Sequence, residues 1–276
     1  HQYWIFMKII KKTVEISGRT LSLEVGRFAQ QATAAVLAQY GDTIVLAAVT
    51  AASHETTLDY FPLSVEYVER LYAGGRIKGS RWVKREGRPS DDAILSGRMV
   101  DRSIRPLFPK GYKHDVQVVI TTLSIDGEND PDVLGLVAAS AALAMSPIPW
   151  DGPVAAVRLG YIKEEGKETG LSAQAGTLIV NPTAAEQALS EFDVVVSSTK
   201  DRVMMLEGGF CETSEDQVFA AILAAKAENK KSVKIIEELV KEVGKPKVTV
   251  AELKEPTVLK DFILKNYKLC KYYWIN

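Results

Sequence analysis

Residues 130–145, DPDVLGLVAASAALAM, constrain the fold more than any other stretch. Asp130 followed by Pro131 marks a helix start: the carboxylate can accept an orphan backbone N–H, and proline is tolerated at the first helical position. From Val133 to Met145 almost every residue is apolar or small, and Pro147 closes the run. A helix with no polar face must be covered on every side. The remainder of the chain therefore has to build walls around it.

The walls are strands. Short stretches of β composition occur at 8–16, 20–25, 36–40, 43–49, 62–68, 115–124, 154–161, 177–180, 192–198 and 202–207. Gly41-Asp42 and Thr199-Lys200-Asp201 sit where hairpin turns are expected. A second long helix is predicted to start at Thr213 and Ser214, with Asp216 and Gln217 placed for reciprocal capping, and to carry an amphipathic face to Gly244. Runs of strands broken by long helices predict an α+β, or mixed α/β, fold. The expected domain spans 7–244, and 245–276 reads as a linker or the start of something further. Residues 1–6, HQYWIF, precede Met7 and read as a non-native extension.

The chemistry concentrates between 74 and 111. Arg76, Lys78, Arg81, Lys84, Arg85, Arg88, Arg98, Arg102 and Arg105 face only Glu86, Asp91, Asp92 and Asp101, a local surplus of positive charge in a chain of formal net charge -1. The first part is Gly-rich and closed by Pro89, which predicts an exposed loop. Ser90-Asp91-Asp92 then starts a helix, with Pro106 stopping it. Arg98, Arg102 and Arg105 fall at i, i+4 and i+7, on one face. Two readings stay open at this point. The arginines line a cleft that takes a polyanion, because guanidinium forks match phosphate oxygens and Trp82 could stack on a base; or they form a structural network with Asp101, Glu86 and other acids.

With 46% hydrophobic and 25% charged residues the composition is that of an ordinary globular protein. No apolar run reaches the roughly 18 residues that span a bilayer, no secretory signal is evident, and no membrane partner is expected, so the expected location is cytoplasmic. Cys211 and Cys270 are far apart and lack a nearby His, so neither a disulfide framework nor a zinc site is implied. A pI near 6.4 means that nucleic-acid binding has to come from a local patch.

The order FPLSVEY, AGGRIKGS, KREGRPS, ILSGRMVDRSIRPLFPKG, NDPDVLGLVAASAALAMS and IPWDGPVAAVRLGY resembles the first half of the bacterial polynucleotide phosphorylase family. That resemblance implies an RNase PH-like domain with a β-α-β core of the ribosomal protein S5 domain 2-like type, followed by a helical linker domain. It implies an enzyme, a nucleotidyltransferase acting as a phosphorolytic 3'-to-5' exoribonuclease: inorganic phosphate attacks the terminal phosphodiester of single-stranded RNA and releases a nucleoside diphosphate. Mg2+ or Mn2+ would serve the complete enzyme, three chains would form a ring, and partners in an RNA-degradation complex are possible. In the family the phosphate-binding serines and metal-binding aspartates belong to a second RNase PH-like copy. Here the matching segments read NDPDVLG and EFDVVVSSTKDRVMMLEG, so no catalytic residue and no metal is assigned to this chain.

By resemblance this copy supplies RNA grip. Lys84 and Arg85 match two basic positions of a loop at the ring aperture, Arg88 follows in the same context, and Arg98 and Arg102 match arginines of a helix facing RNA; Arg105 completes the stripe. Trp82 and Val83 stand where the family usually has two phenylalanines, and Arg81 resembles an insertion. Loss of a stacking aromatic costs about 1–3 kcal/mol per base.

Other signals point to structure. His54 and His114 are isolated, and Asp126, Glu128, Asp130 and Asp132 lack EF-hand spacing, so a solvated turn with a helix cap is the expected reading. Two alternatives are an autonomous phosphorolytic enzyme using Asp193, Asp201 or Asp126 for a metal, and a purely structural assembly domain.

Overall fold

The computed structural model describes residues 9–77, 79, 87–163 and 176–250. Ten strands, four helices and two short 3-10 turns are assigned among them. Strands β1 (Ile10–Ile16), β2 (Arg19–Val25), β3 (Ala34–Tyr40), β4 (Thr43–Glu55), β5 (Leu63–Val68) and β6 (His114–Ser124) form a sheet in the order β1-β2-β3-β4-β6-β5. Strands β7 (Ala155–Lys163), β8 (Gly176–Val180), β9 (Phe192–Ser198) and β10 (Val203–Phe210) form a second sheet in the order β10-β9-β7-β8.

Every pairing is antiparallel except β5 with β6, where Leu63 lies opposite Val116 and Val68 opposite Thr121. Parallel neighbours need a long crossover. Here the crossover carries helix α1 (Asp91–Ile104), so the topology itself delivers that helix to one edge of the large sheet.

Helix α2 (Pro131–Met145) is the centre. Asp130 caps it, its carboxylate accepting from the Asp132 N–H at 2.9 Å, and every residue from Val133 to Met145 is buried. It packs on β3, β4 and β6 of the large sheet and on β7 of the small one. Gly135 permits the close approach to β6: a Cβ there would stand 2.9 Å from the Ile120 methyl. Helix α4 (Glu215–Val243) covers β7 and β9, starting at a capping box between Ser214 and Gln217. The mixed α/β expectation therefore holds.

Several elements differ in extent from the sequence expectation. Strand β4 runs on to Glu55, and β10 continues through two glycines to Phe210. A five-residue helix α3 (Ala184–Ala188), absent from the expectation, is held by a capping box in which Thr183 and Glu186 exchange hydrogen bonds.

Candidate nucleic-acid interface

Helix α1 starts as its sequence requires: the Ser90 hydroxyl accepts from the Ala93 N–H at 3.0 Å, and Asp91 and Asp92 occupy the first turn. The same hydroxyl donates to Glu69 at 2.7 Å, which ties the helix start to the end of β5. One face of α1 lies on β5. Gly97 makes this possible, since a Cβ there would come 3.3 Å from the Val65 carbonyl oxygen. Between the free edge of β5 and the helix runs a groove of about 460 Å³, lined among others by Val65, Glu66, Ile94, Arg98, Asp101 and Arg105.

The three stripe arginines have different fates. Arg105 is held by the Asp101 carboxylate through two hydrogen bonds of 2.9 and 2.7 Å, and it also donates to the carbonyls of Leu63 at 3.2 Å and Phe61 at 3.4 Å. Its guanidinium is a strut between α1 and β5. Arg102 turns away from the groove to β10, where it meets the Glu207 carboxylate at 3.1 Å and the Leu206 carbonyl at 3.2 Å. The expectation that all three line one cleft is corrected accordingly: Arg98 and Arg105 face the groove, while the acid across the sheet gap draws Arg102 to the other flank.

Arg98 is exposed and has no hydrogen-bond or ion-pair partner among the described residues. Arg88 is likewise exposed at the approach to the helix. Asp101 offsets Arg105, and Glu66 lines the same groove as Arg98, so among the described residues the surplus of positive charge at this edge rests on Arg88. Trp82, Lys84 and Arg85 lie outside the described residues.

A second concentration of charge lies at the start of α2. Arg158, on β7, reaches Asp130 at 2.5 Å and Asp193, on β9, at 2.5 Å, and Gln187 donates to Asp193 at 3.0 Å. Asp132 is half-buried beside them and accepts from Ser96 at 2.7 Å. Burial and the neighbouring Asp130 charge push its carboxyl above the usual carboxylate range, against the pull of Ser96, Tyr67 and Arg158. Burial, reinforced by Asp132, pushes the Tyr67 hydroxyl well above its ordinary value. The isolated-sequence view of Arg158 as one residue of a strand gave no hint of this role.

Asp126 is a structural hub of the partly exposed turn that precedes the Asp130 cap of α2. Its oxygens accept from the backbone N–H groups of Asp42, Glu128 and Asn129 and from the Thr43 hydroxyl, at 2.8 to 3.1 Å. Burial disfavours its charge, but these bonds, led by Asn129, outweigh it and hold the carboxyl well below the usual range. Asp201 sits in the exposed β9–β10 turn, where its carbonyl accepts from Lys226. Asp126 and Asp193 are thus engaged in separate places, and Asp201 lies apart from both in the exposed turn. Among the described residues no group of three His, Cys, Asp or Glu side chains is placed to hold a metal ion.

Family comparisons agree with this architecture. The model of the 3' exoribonuclease family, domain 1, matches residues 17–149, and that of domain 2 matches residues 152–228. The chain belongs to the 3' exoribonuclease family. The junction between the two family matches coincides with the passage from α2 to β7, where the chain leaves the large sheet for the small one. A polyribonucleotide nucleotidyltransferase of Caldicellulosiruptor bescii is 49% identical over 85% of this chain and 32% of its own length. One from Thermomicrobium roseum is 46% identical over 92% of this chain and 31% of its own. The chain thus spans about a third of the length of these relatives. In fold it is similar to rice (Oryza sativa) Rrp46, with a TM-score of 0.58 at 15% identity, covering 85% of this chain and 95% of that one.

Proposed function

We propose that this chain is the N-terminal RNase PH-like copy of a phosphorolytic 3'-to-5' exoribonuclease, a polyribonucleotide nucleotidyltransferase, and that it grips single-stranded RNA. Residues 7–244 form that copy, and 245–276 begin the helical linker toward a second copy that carries the bond-breaking residues. The complete protein works in the cytoplasm as a three-chain ring alongside other RNA-degrading proteins. There inorganic phosphate is the attacking group, and Mg2+ or Mn2+ supplies charge neutralisation at the phosphate.

The observation that carries the reading is Arg98: an exposed guanidinium, without a partner among the described residues, on a helix delivered to one sheet edge. A guanidinium is suited to phosphate oxygens because its planar fork donates two parallel hydrogen bonds. By the family resemblance Trp82, Lys84, Arg85 and Arg88 add to this grip, a tryptophan ring being suited to stacking on a base. The carboxylates at the head of α2 do not fit a divalent cation, since Asp130 and Asp193 already close on Arg158. No bond-breaking step is assigned to this copy. A structural reading is favoured for two of the stripe residues, Arg102 and Arg105, by the ion pairs they make.

Fluorescence anisotropy of a labelled oligoadenylate tests the proposal. Arg98→Ala weakens binding roughly tenfold, the order of one charged phosphate contact, and lowers the logarithmic salt slope by about one. Arg105→Ala leaves RNA affinity intact and lowers thermal stability. Equal RNA affinity for wild type and Arg98→Ala would overturn the assignment.

A further inference from the structure

Strand β5 runs out into the 3-10 turn Leu71–Gly74, and the fold pins this turn from several sides. The Ile125 N–H, just past β6, donates to the Ala73 carbonyl at 3.0 Å, and the Ala73 side chain is buried. Gly75 takes the left-handed conformation that lets its N–H return to the Tyr72 carbonyl at 3.0 Å. The Arg76 N–H then donates to the Leu71 carbonyl at 3.0 Å, which turns the chain back toward the start of the turn.

A turn anchored in this way nevertheless holds apolar side chains in solvent. Tyr72 is 59% and Ile77 94% exposed, and Leu71 and Ile125 are exposed with them. Single apolar residues on a surface need no explanation, but a group gathered at one rigid turn marks an interaction surface. The Tyr72 hydroxyl has no hydrogen-bond partner among the described residues, so nothing there fixes the phenol inside the fold.

The surrounding charge identifies the occupant. Ser90, at the start of α1, is bonded to Glu69, three residues before Tyr72, so the helix start and the turn are neighbours. From there α1 runs back along β5, with Gly97 against Val65 and Arg105 reaching Leu63. Arg98 stands roughly 12 Å along the helix from Ser90 at the usual rise per residue. The exposed Arg98, Arg88 and Arg76 are thereby strung along one edge that ends at Tyr72. Glu69, the nearest acid in sequence, is already taken up by Ser90. An aromatic ring among guanidinium groups suits a chain that offers a flat π-face and a phosphate at every step, which is a single-stranded nucleic acid.

We propose that Tyr72 is a base-stacking platform, its ring taking one nucleobase of a single strand whose phosphates lie on Arg76, Arg88 and Arg98. This site rests on the RNA-grip reading. It adds a contact that depends on the base, which the arginines on the phosphates do not supply.

Fluorescence anisotropy with two labelled probes of equal length tests it, one an oligoadenylate and the other an abasic strand with the same sugar-phosphate backbone. Wild type binds the oligoadenylate more tightly. Tyr72→Ala weakens oligoadenylate binding roughly tenfold, the order of one stacked base, and leaves the abasic strand and the salt slope unchanged. Tyr72→Phe keeps the ring and binds as wild type. Because the side chain is exposed, thermal melting of Tyr72→Ala matches that of wild type. Arg98→Ala, in contrast, weakens both probes and lowers the salt slope. Should wild type bind neither probe, the RNA-grip reading fails and the stacking site with it. Should Tyr72→Ala bind oligoadenylate as wild type does while Arg98→Ala is weakened, the stacking site alone is overturned, as it would be if the apolar patch docked a protein. Equal losses on the two probes also overturn it, since Tyr72 would then act on the backbone path and not on a base.

Discussion

Arg98 lies on α1 and Arg105 two turns further on, just past its end, and their surroundings give them opposite roles. Arg105 has an acid one turn back and the carbonyls of Leu63 and Phe61 within reach, so its hydrogen-bonding capacity is used inside the fold. Arg98 has none of these among the described residues. The Asp101–Arg105 pair was legible as an i, i+4 relation, but the partner that turns Arg102 is Glu207, 105 positions away, which no local pattern reveals. The same holds for Arg158, whose two acids come from the α2 cap and from β9. Replacing Arg158 with Met leaves both carboxylates unpaired, and urea denaturation should register a loss of about 3 kcal/mol. Asp126→Asn tests the hub. The folded-state pKa of Asp126 lies below its ordinary value of 3.8, so the charged form stabilises the fold above that pH and its contribution is lost as pH falls. The variant should therefore be about 1–2 kcal/mol less stable at pH 7, a difference that narrows in acid below about pH 4. An unchanged pH profile would remove Asp126 from the account.

Among the elements, α2 was the most legible, because capping residue, proline and an all-apolar run agree on a buried helix. The hairpin between β3 and β4 was legible for a similar reason, its Gly41 taking the left-handed conformation that the turn needs. Helix α3 carried a readable signal, Thr183 followed three residues later by Glu186, but its five residues are too few to show periodicity. The parallel partnership of β5 and β6 had no local signal at all, since register between distant segments is set by the packing of α1 and α2 beneath them. Thr183→Ala removes a cap and should lower stability by about 1 kcal/mol in denaturant titrations. Gly135→Ala tests the α2–β6 contact: the added methyl meets Ile120, and overpacking should cost about 1–3 kcal/mol. A stabilising Gly135→Ala would show that the contact has slack.

At the scale of the molecule, two sheets enclose one buried helix, and the crossover between the only parallel strands among the described residues carries the arginine helix to an edge. The fold positions positive charge by topology in a chain whose formal net charge is -1. Binding to a polyanion should then be confined to that edge and depend steeply on salt. Asp126, Asp130 and Asp193 are closed into ion pairs or structural hydrogen bonds.

The most direct measurement follows a 3'-labelled oligoadenylate mixed with the purified chain, inorganic phosphate and magnesium, recording binding across a salt series and release of nucleoside diphosphate in the same samples. Binding that weakens with salt, with no diphosphate released, is the predicted result. Release of diphosphate, or binding indifferent to salt, would contradict a chain that grips RNA without cutting it.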